Sequence, residues 1–338
     1  MEKLDLGGLG MLQDMLISLP QVLIDGLTLG AVYAVVALGY TMVYGILQLI
    51  NFAHGEIFMT GAFIGTSLFI MILGMSWSAA IPQLLLFIFV IFITALFTGL
   101  IGVGMERVAY RPLRNAPRLI PLITAIGISF ILQDVIRFIA ELTTGRYILT
   151  GPSLFSSQIT IGFSQVSSWF NDASFKTSFL IVLITAIILM VALDYFVNRT
   201  KWGTAIRAVS LDRETASLMS INVNKVISTT FFVGSALGGA TGVLFAMQYG
   251  TIDPYIGFIL GLKAFIAAVL GGIGNIRGAM LGGVLLGVME MFAAANLSIL
   301  TGGIFGAEYK DVFAFAILII VLIFKPEGLL GKPTAEKV

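Results

Sequence analysis

The chain has 338 residues, of which 58% are hydrophobic and only 11% are charged. A soluble fold of this length would carry roughly a quarter charged residues, so there is too little polar surface to cover soluble domains. A net charge of +1 gives no pull towards nucleic acid; with no cysteine and one histidine, disulfides, iron–sulfur clusters and cysteine-ligated zinc are excluded.

The apolar residues form long continuous runs, such as Leu84 to Gly104 and Phe179 to Val197, beyond the roughly 18 residues that mark a membrane span. Backbone groups in hydrocarbon must pair within the segment, so these runs read as helices. The alternation over about ten residues that marks a barrel strand is missing. In chain order the segments fall near 20–45, 56–75, 82–104, 119–141, 177–197, 224–248, 257–274, 278–297 and 311–325. That is nine passes, or eight to ten if Tyr40 to Asn51 is a separate re-entrant piece. The expected fold class is an all-α polytopic transmembrane bundle, a single domain over 1–338.

The first residues, Met1 to Asp14, mix acids and glycines and lack the basic start and small-residue cleavage site of a signal peptide, so this stretch is expected to be retained. Basic residues gather in three clusters: Arg107, Arg111, Arg114 and Arg118; Arg199, Lys201, Arg207, Arg213 and Lys225; and Lys325, Lys332 and Lys337. These hold 12 of the 19 lysines and arginines (4 + 5 + 3). Two spans and then four separate them, so all three can share one side, and the positive-inside rule makes that side the cytoplasm. The N-terminus, 142–176 and 298–310 then face outward. The outer segment 142–176 is expected to hold a short amphipathic helix, a docking surface or an ordinary connection.

Small residues recur four apart at Gly26 and Gly30, at Gly234, Gly238 and Gly242, at Gly274, Gly278 and Gly282, and at Gly283 and Gly287, a spacing that lets helices approach closely in lipid. The pairs at 238–239, 271–272 and 282–283 also suggest local breaks. Asp134, Arg137 and Glu141 share a helix face, where local ion pairing is expected. Asn51, His54 and Glu56 lie in a polar break between apolar runs, as a pathway lining or gate, or as caps for loose backbone groups. Lys263 and Glu290 interrupt apolar runs where a lone charge is costly. At about 1.5 Å per residue, Lys263 lies roughly 9 Å deep and Glu290 about 12 Å from the outer face, which suits a salt bridge or shared pocket. The alternatives are Lys263 snorkelling to the outer surface and a protonated Glu290 bonded to a neighbouring backbone group. The polar stretch 198–225 is long enough for one or two short helices, with Asp212 and Glu214 in a first turn capped by Ser210, and Ala216, Met219 and Ser220 on one face.

No nucleotide-binding signature is present. Gly271-Gly-Ile-Gly-Asn-Ile-Arg-Gly278 lacks the Gly-Lys-Ser/Thr ending of a phosphate loop, so any ATP hydrolysis belongs to another chain. Gly39-Tyr-Thr-Met-Val-Tyr-Gly45 with Asn51-Phe-Ala-His-Gly-Glu56 resembles the branched-chain amino acid permeases of LivH type. So do Glu106-Arg-Val-Ala-Tyr-Arg-Pro112, Asp253-Pro-Tyr-Ile-Gly-Phe258, the run from Lys263 to Gly283, Tyr309-Lys-Asp311 and Lys325-Pro-Glu-Gly-Leu-Leu-Gly331. The resemblance spans about 20 to 331. It implies the permease subunit of an ABC importer of type II architecture in the bacterial inner membrane, carrying Leu, Ile and Val by alternating access. It also implies partners: a LivM-type permease, two ABC ATPases that bind ATP and Mg, and a periplasmic amino-acid-binding protein, all in contact with membrane lipid. Residues Asp212, Glu214, Ala216, Met219, Ser220, Ile221 and Asn222 then form the ATPase-coupling loop. Family members usually carry Gly where this chain has Ser220, so a left-handed cap there would fit less well. Within the same family, an importer of urea, amides or other neutral amino acids is the alternative. An ion-coupled secondary carrier using Glu290, or a non-transporting scaffold, comes after it.

Overall fold

The computed structural model describes residues 2–76, 78–114, 116–117, 119–163 and 171–331; Arg118, Lys332 and Lys337 of the basic clusters lie outside them. Among the described residues seven helices are long and apolar enough to cross a membrane. They are the apolar part of α1 (Glu2–Leu47), α2 (His54–Leu73), α3 (Gln83–Met105, which continues to Tyr110), α4 (Leu119–Thr144), α5 (Thr177–Arg199), α8 (Val223–Tyr249) and α10 (Ile276–Leu300). Two shorter apolar helices, α9 (Ile256–Gly271) and α11 (Lys310–Phe324), complete the nine segments expected. The first begins earlier than the apolar run suggests, because α1 extends back to Glu2 through Pro20 without ending. It is also unbroken across Tyr40, and the chain turns only at Gln48, whose φ is 55°.

Helices α1 and α8 are the most buried, whereas α3, α4 and α5 expose wide apolar faces such as Phe92, Phe97, Phe130 and Ile188. Glycine makes the central packing possible. Along the α1–α10 seam, a Cβ on Gly30 would stand 2.8 Å from the Val284 Cα, and Gly283 and Gly287 meet Ala34 and Gly30 of α1. The α2–α8 seam repeats this with Gly61 on Gly239 and Gly242 on the Phe58 carbonyl. Hydrocarbon gives helices no hydrophobic reason to associate, so close backbone packing must hold them. The pairs 238–239 and 282–283 therefore sit inside continuous helices and are not breaks. Only Gly271–Gly272 ends a helix, with Gly272 at φ 104°. There the loose carbonyls of Leu270 and Gly271 accept from the amides of Leu329 and Leu330 at 2.8 and 2.9 Å.

One end of the bundle gathers the end of α1, Arg107 to Arg114, residues 199–225, the turn 271–277 and the segment 325–331. The opposite end holds the segment after α4, for which the sequence suggests a short amphipathic helix, a docking surface or an ordinary connection; residues 164–170 lie outside the described ones. Its described residues pair as strands: β1 (Leu149–Thr150) with β4 (Thr251–Ile252), and β2 (Gln158–Ile161) with β3 (Ala173–Lys176), both antiparallel. The Gln158-Ile-Thr-Ile161 alternation suits a strand better than a helix. It lies against α1, where the Ser174 amide donates to the Gln21 side chain at 3.0 Å.

Candidate functional site

Three polar constellations interrupt the apolar bundle, each set by a different structural device. The first is at the basic end. Helix α6 (Lys201–Leu211) is capped by Thr200, whose hydroxyl accepts from the Gly203 amide at 3.1 Å. The following α7 (Arg213–Leu218) is capped by Asp212, not by Ser210, which belongs to α6. Asp212 Oδ1 accepts from the amides of Glu214 and Thr215 at 2.9 and 3.2 Å, and Oδ2 from the Thr215 hydroxyl at 2.5 Å. These bonds, the hydroxyl's first, favour the ionised form and hold the carboxyl below its ordinary range. Helix α7 ends in a Schellman turn: the Ser220 amide donates to the Ser217 carbonyl, the Ile221 amide to that of Ala216, and Ser220 takes φ 62°. Asn222 then caps α8 through the Lys225 amide at 3.0 Å.

The expected shared face of this loop divides. Ala216 is buried at 4% exposure against the bundle, while Leu211, Leu218 and Met219 are 89%, 84% and 74% exposed. A six-residue helix turns its small residue inward, and these apolar side chains point out instead. Arg213 ties the loop to the membrane part: its Nη2 lies 2.9 Å from the Ile46 carbonyl at the end of α1, where a cation suits the helix dipole. Next to it, Glu106 is fully buried between Arg111, Arg114 and the Ser228 hydroxyl, the last at 2.6 Å. Its backbone carbonyl accepts from the Arg111 amide at 2.7 Å, a wider turn that lets α3 bend into the loop. Burial beside these groups lowers the Arg114 pKa from its ordinary value. Sequence reasoning assigned Glu106 no role, although it stands in a quoted motif.

The second constellation surrounds the α1–α2 turn. Helix α2 does not start at the bundle's end. His54, at its first residue, packs on Gly39 and edge-on to Tyr40 at 4.7 Å, and Gly39 lies eight residues, about 12 Å, before the end of α1. The chain therefore folds back into the interior before α2 begins. Asn51 ties the turn just before this buried start, accepting from the Ala53 amide at 3.1 Å and the Tyr110 hydroxyl at 2.7 Å, while α2 itself has no side-chain cap. His54 caps nothing; its ring is buried and meets no hydrogen-bond partner. Glu56, 1% exposed, accepts from the Ser129 hydroxyl on α4 at 3.1 Å through Oε1, while Oε2 has no partner. Oε2 rests over the bare backbone of Gly257, and Glu56 lines a cavity of about 760 Å³ with Phe52, Ile126, Phe130, Phe258 and Ile259.

The third is in the opposite half. Lys263 Nζ lies 2.8 Å from Glu290 Oε1 and 2.7 Å from Asp311 Oδ1. Glu290 also takes Lys310 at 3.1 Å and the Tyr33 hydroxyl at 2.8 Å. Sequence reasoning singled out only Lys263 and Glu290; Lys310, Asp311 and Tyr33 join from α11 and α1. Arg137, expected to pair along its own helix, turns instead to the Tyr255 hydroxyl at 3.1 Å and the Tyr147 ring at 5.8 Å.

The family model described as "Branched-chain amino acid transport system / permease component" matches residues 22–322. The chain belongs to that family. It is 44% identical over 318 residues to the high-affinity branched-chain amino acid transport system permease protein BraD of Pseudomonas aeruginosa. To the LivH proteins of Salmonella typhimurium and Escherichia coli K12 it is 45% and 43% identical. In each case 94% of this chain and 97% of the relative are covered. No solved structure matches. The chain is thus a multi-pass membrane permease, a transport subunit.

Proposed function

We propose that this chain is the membrane-spanning permease subunit of an ATP-driven importer of branched-chain amino acids. The carrying observation is the 43–45% identity to LivH and BraD permeases over nearly the full length of both partners. The basic end faces the cytoplasm, the N-terminus and 142–176 face outward, and a LivM-type permease, two ATPases holding ATP and Mg, and an amino-acid-binding protein complete the assembly. Segment 212–222 is the coupling loop, and its outward apolar side chains Leu211, Leu218 and Met219 are the part that enters an ATPase groove. Movement of the loop reaches the interior along one short route. Arg213 grips the end of α1, and α1 leads directly into the turn bearing Asn51, His54 and Glu56. Glu290 is tied into an ion network with Lys263, Lys310 and the Tyr33 hydroxyl, which disfavours an ion-coupled carrier built on it.

Co-purifying the chain with all partners in vesicles tests the reading. ATP-dependent uptake of labelled leucine, suppressed by excess isoleucine or valine and not by urea, is the expected result. Uptake suppressed by urea alone moves the substrate to the family alternative, and uptake driven by a proton gradient without ATPases overturns the reading. Because the chain has no cysteine, a Ser157→Cys variant reports the topology: it should label from the outside, and labelling only from the cytoplasmic side reverses the orientation.

A further inference from the structure

A carboxylate inside an apolar bundle needs a compensating partner, and the three most buried acids differ in this respect. Glu106 has two arginines and a serine, and Glu290 has two lysines and a tyrosine. Glu56 is as buried as either, yet it has one serine hydroxyl on one oxygen and nothing on the other. Glu56 lines a cavity of about 760 Å³, within the roughly 300–1,000 Å³ of small-molecule sites. Around it the chemistry is divided. Ser129, Gln133 and Tyr255 lie among otherwise apolar walls of Phe52, Ile126, Phe130, Phe258 and Ile259. Gly257 keeps the floor beneath the carboxylate clear: a Cβ there would collide with Oε2. What such a groove recognises is a cation with an aliphatic body.

We propose that the Glu56 groove between α2, α4 and α9 is a transit site for the amino-acid cargo. The Glu56 carboxylate takes the α-ammonium and the aromatic and isoleucine walls take the branched side chain. Ser129 and Gln133 supply polar contacts beside the ammonium. The site rests on the reading of the chain as an amino-acid permease, and it adds a place within this subunit where the cargo is held. Its position fits a coupled site. Glu56 is in the first turn of α2, reached from the coupling loop through Arg213, the end of α1 and the buried turn. Displacement of that turn moves the carboxylate relative to α4 and α9, which opens or closes the groove.

The test uses the complete transporter in vesicles, with Ile259→Cys as the sole cysteine and an uncharged maleimide as the probe. Leucine should slow labelling, and 4-methylpentanoate, which has the same side chain and carboxylate but no ammonium, should not. Adding Glu56→Gln should abolish the protection and lower ATP-dependent leucine uptake roughly tenfold or more, as expected for losing a charge-assisted hydrogen bond. Glu56→Asp, retaining the charge on a shorter arm, should recover part of both. Equal protection by leucine and 4-methylpentanoate overturns the ammonium assignment. Absence of protection by leucine, unaltered uptake in Glu56→Gln, or a cysteine that labels in the isolated chain but is covered in the complex overturns the site itself. The last result would make the groove a subunit interface. Leucine uptake by the unsubstituted complex is read separately, so the permease assignment can stand while the site fails.

Discussion

Glu290 and Glu56 are each 1% exposed, and they sit in the same bundle under opposite electrostatic regimes. Around Glu290 the charges close on themselves: two lysines, Asp311 and the Tyr33 hydroxyl draw α1, α9, α10 and the start of α11 to one point. Around Glu56 one oxygen is buried without a partner among the described residues, beside a groove whose outer walls, Phe130 and Phe258, are exposed. Burial alone therefore does not tell a fastening from a binding group. The remaining hydrogen-bonding capacity does. A satisfied network fixes helices in one arrangement, while an unsatisfied acid costs stability that a ligand can restore.

The largest effect that would break this comparison is at Glu290. Glu290→Gln leaves Lys263 and Lys310 buried or half-buried with only Asp311 between them, and stranding a buried charge costs about 3–5 kcal/mol. Thermal unfolding of the purified complex should fall sharply in this variant and recover in part when Lys263→Met is added. A double variant as unstable as the sum of the two singles would show that Lys263 and Glu290 do not interact.

The matching change at Glu56 should have the other sign. Glu56→Gln keeps an oxygen for the Ser129 hydroxyl and removes a carboxylate that has no counter-ion among the described residues. The cost of an unsatisfied buried group is about 1–3 kcal/mol, so without substrate the variant should unfold at the same temperature as the parent or higher. A loss of stability comparable to that of Glu290→Gln would mean that Glu56 has a compensating partner, and the two acids would then fall in one class.

These contrasts were only partly legible in the sequence. Except at the start of α1, apolar runs placed the helix boundaries to within a few residues because helix length and hydrocarbon thickness constrain each other. Rise per residue ranked Lys263 and Glu290 at similar depths because they lie on adjacent helices joined by a tight turn. Depth carries no azimuth, however, so Tyr33, 257 positions before Glu290, could not be drawn in. For the same reason Arg137 could be assigned to its helix neighbours when its guanidinium points to Tyr255. The buried start of α2 was hidden for another reason. A polar break between apolar runs looks like a surface turn, and only the packing of His54 on Gly39 and Gly238 shows that the chain re-enters the core. Glycine pairs were ambiguous because the missing Cβ that permits a break also permits close approach, and at 238–239 and 282–283 the neighbouring helix decides.

The smallest effect is at the coupling loop, where Ser220 holds φ 62° to close the Schellman turn of α7. A residue with a Cβ pays roughly 1–2 kcal/mol to sit in the left-handed region, and glycine does not. Glycine gives back some of that gain through the greater freedom of the unfolded loop, about 0.5–1 kcal/mol. Ser220→Gly should therefore stabilise the turn by about 0.5–1 kcal/mol. Hydrogen exchange is the suitable measurement, because the Ser220 and Ile221 amides both donate within the turn and exchange only when it opens. Their exchange should slow by a factor of roughly two to five, with the amides of the Lys263–Glu290 region unchanged. If the turn is rigid enough to matter for coupling, ATP-dependent uptake should rise with it. Exchange that quickens in Ser220→Gly would mean that the serine contributes more to the turn than its backbone conformation costs.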